Sequence, residues 1–413
     1  MEEKHLDCST EIQHDWDTFS KQGQTFWARC TLILPHVTDD EQARRQSQLG
    51  EEEVVNDELT IGYEDTSSFI VTQGRNQNSI LLDCPKLAAC VEVYAPSVEI
   101  DPFCKSPCFS VDISPDEKFM VVAGDSGNLE VFDRSTNQSF CQLIGHIGDV
   151  TVAKFFPSSK VILSGGMDYQ LRIWGLTGGA AVREMAGHQG SISDIAMVDR
   201  GRQVLSSGRD GTVRLWECAS GNNLHTWEIT ESSVNALALA KVPKEEGDES
   251  PWSWICGACG DGSVVGCDVR VKDEIFRVRA EGGSSFECCK VVSQETTAVI
   301  AAGSADGVIL CWDVRNTGVP LERVRVDKHE GIGITSIQEV PTFPSSLWIT
   351  TTDGRTWELD NLNLHAPKLN KILTGPFYKP IFGSSLRTNE TTGQVSIATA
   401  SRDGLVRIYE LPA

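Results

Sequence analysis

Cationic side chains are scarce in this sequence: 36 Lys and Arg stand against 58 Asp and Glu in 413 residues, a formal charge of −22. That shortage excludes a general nucleic-acid binder, because neutralising phosphates needs a basic face. It also argues against anionic membrane surfaces and points toward cationic partners. No apolar run approaches the roughly 18 residues of a membrane-spanning helix. Fourteen cysteines are too few for a disulfide scaffold. The opening Met1-Glu2-Glu3-Lys4-His5 has neither a basic nor an apolar segment of the kind that directs secretion. The expectation is a cytoplasmic and nuclear protein with reduced thiols. Aromatic residues make up only 7% while Gly numbers 36, a balance that suits a turn-rich β protein, and 40% hydrophobic residues suffice for a sizeable core.

Signatures of chemistry are missing as well. There is no G-x-x-x-x-G-K-[ST] phosphate loop, no G-x-S-x-G elbow, no H-E-x-x-H and no calcium loop. The one C-x-x-C, Cys256-Gly257-Ala258-Cys259, has no second pair at zinc spacing. Strand alternation would put its two thiols on opposite faces, half-buried and structural. Cys288-Cys289 reads as strand filling, and the eight histidines form no i, i+4 ligand pair on a helix. The sequence therefore predicts no metal, no cofactor and no enzyme.

What is present is a repeat. Seven segments share small residues, an Asp-Gly-like turn and an alternating strand that ends on a large side chain. They run from Asp125 to Phe132, Asp168 to Trp174, Asp210 to Trp216, Asp261 to Cys267, Asp306 to Trp312, Asp353 to Leu359 and Asp403 to Tyr409. Aligned on the turn position they are spaced 42, 42, 51, 45, 47 and 50 residues apart. That period, with short strands, matches four-stranded propeller blades. In the third, Val204-Leu205-Ser206-Ser207 is a β-prone run and Arg209-Asp210-Gly211 a tight turn whose Gly supplies φ > 0. Thr212 to Trp216 then alternates faces.

His188, Ser206, Asp210 and Trp216 fall at the spacing of the hydrogen-bond tetrad of WD repeats, and His146, Ser164, Asp168 and Trp174 repeat it one blade earlier. There the Asp accepts from His and backbone N–H, satisfying polar groups buried where strands converge. A His-Ser-Asp set also suggests a catalytic triad, but a triad occurs once with an exposed nucleophile, whereas this set recurs at the blade period.

The fold expected is all-β: a seven-bladed WD40 propeller over 89–413 with a small β-rich N-terminal domain over 1–88. The last repeat stops after its third strand, so its outer strand must come from before the first blade. Within 89–99, Cys90-Val91-Glu92-Val93-Tyr94 is the best candidate. A ring closed this way offers no edge for self-association, so a monomer is expected.

The N-terminal region contains an amphipathic stretch around Ile12, Trp16 and Phe19. Strand-like runs follow at Phe26 to Leu32, Ser68 to Thr72 and Ser79 to Leu82. An acidic, flexible loop is expected over about 38–56. The first hundred residues hold 7 basic and 19 acidic side chains and the remainder 29 and 39, so acidity is concentrated at the N-terminus. It is either a solvating run or a contact for a basic partner. Lys241 to Ser253 lengthens the loop between the first two strands of blade four, on the face opposite the Asp turns.

The Asp turns and the loops leading into each innermost strand share one face. It carries Asp149, Glu231, Glu281 and Glu330, with Met167, Tyr169, Arg209, Phe377, Tyr378 and Arg402. Carboxylates interspersed with aromatics and Arg suit a protein-binding surface, although any one acid could equally be only solvated. Arg209 and Arg402, each before an Asp-Gly turn, either recognise a carboxylate or pair with neighbouring acidic loops.

One stretch is more specific than any generic repeat: Asp194-Ile195-Ala196-Met197-Val198-Asp199-Arg200-Gly201-Arg202-Gln203-Val204-Leu205-Ser206, continuing to Cys218. It resembles the proteasomal ATPase-associated factor family, as do Phe155-Phe156-Pro157-Ser158 with Val161 to Asp168 and the ending Ser401 to Arg407. His14-Asp15-Trp16 and Phe26-Trp27 add to it weakly. The similarity covers about residues 140–227 and the C-terminal 15. Tyr169 in place of the turn Gly, and blades four and six without an aromatic at the strand end, depart from the pattern.

The resemblance implies a seven-bladed ring with an N-terminal domain and no catalysis. It further implies a chaperone for assembly of the 19S regulatory particle of the 26S proteasome. Such a protein would bind the C-terminal domain of one ATPase subunit through an acidic Asp-turn face and leave before the particle is complete. A generic WD40 scaffold, such as a substrate receptor of a ubiquitin ligase, is the alternative.

Overall fold

The computed structural model describes residues 4–5, 8–12, 28–33, 54–55, 58–61, 70–75, 78–84 and 89–412, apart from 177–178, 242–251, 271, 280–282, 294–297, 315, 319, 327–330, 341–345, 361–367, 377 and 390. Every helix-or-strand element among them is a β-strand. Antiparallel blades occupy residues 108–142, 150–186, 192–228, 234–279, 286–325, 334–373 and 381–411, and together they make a seven-bladed propeller. In the sheet order of each blade, consecutive strands are neighbours, as expected of a meander joined by tight turns.

Blade three shows how sequence sets the layers. Its second strand, Gln203–Gly208, is buried along nearly its whole length, while the outer strand, Asn223–Glu228, is mostly exposed. Apolar β-branched and small residues serve where both faces are covered, and His, Thr and Glu where one face meets water.

Among the described residues the core is a ring of seven hydrophobic clusters, one at each junction between neighbouring blades. The large residue ending each third strand fills the junction with the preceding blade. Phe132 sits between blades seven and one, Trp174 between one and two, and Trp216 between two and three. Cys267, Trp312, Leu359 and Tyr409 fill the remaining four. These seven are at most 4% exposed. Where blade six lacks an aromatic at this position, Trp357, two residues earlier, lies in the same cluster as Leu359. Removing a buried Phe or Trp costs about 3–5 kcal/mol, so Phe132, Trp174, Trp216 and Trp312 carry much of their junctions.

All seven innermost strands share a register irregularity near their start, as at Cys108/Ser110, Val150/Val152 and Phe286/Cys288. Such a bulge bends the strand and re-aims its side chains. Here it sets which residues line the central channel.

The outer strand of the last blade differs from expectation. Val98–Ile100 supplies it, pairing antiparallel with Val406, Arg407 and Ile408. The run Cys90 to Tyr94, expected in that role, instead belongs to Ala89–Tyr94, which pairs parallel with Lys368–Leu373 of blade six. Pro96 separates the two strands because it lacks an N–H for a ladder. At this crossing the Thr374 amide donates to the Tyr94 carbonyl (2.9 Å) and the Ser97 amide to the Ile408 carbonyl (2.7 Å). Val91 and Val93 are buried in the cluster between blades five and six, which draws their strand to blade six.

The strands before residue 88 are likewise shared out. Ile70–Gln73 and Ser79–Cys84 form a hairpin that extends blade six to seven strands, and Lys4–His5 adds a parallel strand to blade five. Cys8–Ile12, Ala28–Ile33, Glu58–Ile61 and Val54–Val55 form a separate four-stranded antiparallel sheet. Trp16, Phe19, residues 38–53 of the acidic loop and residues 242–251 of the blade-four insertion lie outside the described residues.

Candidate protein-binding face

The turns of blades two and three are built from the tetrads. Trp174 Nε1 donates to Ser164 Oγ (2.8 Å), and Ser164 Oγ lies 2.7 Å from His146 Nε2. His146 Nδ1 lies 2.9 Å from Asp168 Oδ2. Since Trp can only donate, the consistent assignment runs from Trp to Ser to His Nε2, with His Nδ1–H donating to the carboxylate. In blade three Trp216 Nε1 donates to Ser206 Oγ (2.8 Å), Ser206 Oγ meets His188 Nε2 (2.7 Å) and His188 Nδ1 meets Asp210 (2.9 Å). The Gln189 amide adds a bond to Asp210 at 2.8 Å. Burial works against the charged carboxylates of Asp168 and Asp210, but the His bonds and amides outweigh it and hold both below the usual carboxylate range. Ser164 and Ser206 are fully buried, so neither hydroxyl is open to a substrate.

In blade four Thr230 and Ser263 bind Asp261 with no His. In blade seven Ser401 and Arg407 bind Asp403 (2.5 and 2.7 Å). The Asp carboxylates are thus mostly turned onto their own turns. Asp168, Asp210 and Asp353 are about a tenth exposed, so the acidity of the sequence overstates the charge that a partner would meet here.

What the face does expose is apolar and aromatic. Ile147 is 82% exposed, Met167 46% and Tyr169 47%. The Ile147 amide donates to Asp168 Oδ2 (3.2 Å), between Met167 and Tyr169; the Met167 amide donates to the Asp149 carbonyl (2.8 Å), and Asp149 also accepts from the Ser126 amide (3.0 Å), tying the blade-one turn to blade two. Tyr169 has φ 65°, whereas the other six turns place Gly in this conformation. Tyr378, 72% exposed, has φ 48°. Two exposed tyrosines therefore stand on left-handed backbone, which costs a residue with a Cβ energy. Glu231, Arg209 and Arg402 are exposed, and neither guanidinium has an ion-pair partner among the described residues. Glu281, Glu330 and Phe377 lie outside the described residues.

The sequence reading missed Phe109 and Phe382, the second residues of neighbouring innermost strands. Their rings are 5.4 Å apart at the channel wall. Both sit inside the bulge, which hides their direction from simple alternation.

The cysteine pair proves more enclosed than expected. Cys256 and Cys259 are fully buried in different junctions, because neighbouring blades cover both faces of their strand. Burial pushes their thiols up to about 12 and about 11. Among the described residues there is no cluster of three metal-ligating side chains.

These features define a WD-type propeller, a class generally used as a scaffold without catalysis. The WD domain, G-beta repeat family matches residues 137–175 and 179–217. The probable proteasomal ATPase-associated factor 1 of Dictyostelium discoideum is 34% identical over 110 residues, 26% of this chain and 25% of that protein. Pre-mRNA-processing factor 19 of Oryza sativa subsp. japonica is 33% identical over 70 residues, 17% of this chain and 13% of that one. Its Mus musculus counterpart is 34% identical over 68 residues, 16% and 14% of the two chains. The chain thus spans a quarter or less of the length of these relatives.

Proposed function

We propose that this chain is a non-catalytic chaperone or adaptor for assembly of the proteasome regulatory particle, acting in the cytoplasm and nucleus. In this reading it binds the C-terminal domain of a base ATPase subunit through the Asp-turn face. The resemblance of Asp194 to Cys218 and the similarity to the Dictyostelium protein support the choice of partner. The observation that carries the choice of surface is Tyr169, exposed and held at φ 65° beside Ile147 and Met167. A turn that spends strain to present an aromatic, where Gly would serve the backbone better, is a functional signal. Tyr169 and Met167, with the exposed Arg209 and Glu231 on the same face, have the composition of an interface centre with a charged rim.

The test uses the full chain to capture each proteasomal ATPase subunit. One subunit should be retained preferentially, and Tyr169→Ala or Ile147→Asp should weaken it tenfold or more, as for a central hot spot. Glu231→Arg should change the association rate and its salt dependence more than the dissociation rate. Capture of no ATPase, with ubiquitin-ligase adaptors recovered instead, would replace this reading with the substrate-receptor alternative.

A further inference from the structure

The hub of the propeller is a channel of about 480 Å³ walled by the seven innermost strands. Lys154, Lys290 and Arg387 line it. Lys154 and Lys290 occupy the same level of blades two and five. Each lies four residues after its strand start and pairs with the equivalent residue of its second strand, Leu163 and Ala301. Asp112 and Gln338 take that level in blades one and six.

Two of the three cations are already engaged. Lys154 Nζ lies 2.7 Å from Asp194 Oδ1 and donates to the Ile195 carbonyl (2.7 Å), while Asp194 Oδ2 accepts from the Leu237 amide (2.9 Å). Arg387 Nη2 lies 3.4 Å from Asp112 Oδ1 and its Nε donates to the Ile113 carbonyl (2.9 Å). Asp112 also accepts from Ser385 Oγ and from the Phe155 amide, both at 2.8 Å. These two acid–base pairs are blade-to-blade clasps. Glu287 is bound by Ser285 Oγ at 2.5 Å.

Lys290 has no such role. Among the described residues it has no hydrogen-bond or ion-pair partner. Enclosure holds its ammonium below the usual lysine range and the positive fields of Lys154 and Arg387 add to that, while Glu339, which also lines the channel, and Asp194 oppose it. Lys290 is only partly buried and faces the channel, so its ammonium, with no counter-charge bonded to it, is met there by water or by an anion.

We propose that the channel is a binding site for a small oxyanion, a carboxylate or phosphate group, with Lys290 as its ion-pair partner. The volume limits the ligand to a small molecule or the end of a side chain. The clasps at Asp112 and Asp194 hold the walls, so the site is formed before the ligand arrives. This inference is independent of what the rim binds.

The experiment is thermal unfolding of the full chain in sodium phosphate and, separately, sodium acetate, against sodium chloride at matched ionic strength. Wild type should show a saturable rise in Tm with at least one of the two oxyanions. Lys290→Met should lose it, Lys290→Arg should retain it, and Lys290→Met should melt no lower than wild type in chloride. Phosphate also stabilises proteins generally by exclusion from their surfaces, which would raise wild type and Lys290→Met equally. Equal rises, or none, overturn the proposal. Should Lys290→Met fail to fold, calorimetric titration of phosphate and acetate into wild type decides: one saturating site supports the proposal, and the absence of heat with both overturns it.

Discussion

Tyr169 holds with an L side chain a backbone conformation that Gly127, Gly211, Gly262, Gly307, Gly354 and Gly404 hold without one. Left-handed backbone costs a residue with a Cβ about 1–2 kcal/mol, partly offset by the greater freedom of Gly in the unfolded chain. Tyr169→Gly should therefore raise stability by about 1 kcal/mol while weakening partner binding. A urea midpoint that falls would refute the backbone strain at Tyr169, and unchanged binding would refute its assignment to the interface. The departure at Tyr169 was legible in the sequence because a turn glycine is missing from a repeat that otherwise has it. So were the two His-Ser-Asp-Trp sets, since their spacing recurs. Lys290, Phe109 and Phe382 were not, because a residue on an innermost strand faces the channel or a neighbouring blade according to a bulge with no residue signature of its own.

At the scale of elements, the three-residue strand Val98–Ile100 closes the ring, and a side-chain cluster secures it. Arg407, 9% exposed, bonds to Glu99 (2.8 Å), Asp403 (2.7 Å) and Ser401 (3.1 Å). Arg407→Ala leaves the partly buried Asp403 carboxylate and the buried Ser401 hydroxyl without their guanidinium and should cost about 3 kcal/mol. Glu99, 48% exposed, gains little from the same bond, so Glu99→Ala should cost under about 1 kcal/mol. Urea unfolding of both variants checks this, and equal losses would mean that the cluster is not what holds the strand. A strand this short carries too little pattern to announce itself. Cys90 to Tyr94, longer and better alternating, was the stronger sequence signal, but burial of Val91 and Val93 against Ile80 and Leu82 takes it to blade six.

Over the whole molecule, the turn aspartates of blades two, three, four and seven share one electrostatic character. Burial opposes ionisation of Asp168, Asp210, Asp261 and Asp403, yet hydrogen bonds from His, Ser, Thr or Arg and from amides hold all four below the ordinary 3.8. Because the folded values are depressed, the unfolded chain binds more protons in acid. The stability these groups add is full above about pH 4 and drains as pH falls through their folded values. Urea midpoints should hold steady from pH 7 to 5 and drop steeply below 4, with a shallower drop in Asp210→Asn. A pH-independent midpoint would contradict this origin of stability. The blades, their turns, the tetrads and the apolar residue ending each third strand are written locally, because the sign of φ and the alternation of faces belong to a few adjacent residues. Which strand closes the ring, how separate clusters become one circular core and which charges meet in the channel come from long-range packing. Those outcomes depend on contacts between blades about 40 residues or more apart, such as Asp112 with Phe155 and Arg387, where burial and bulged register prevail over local pattern.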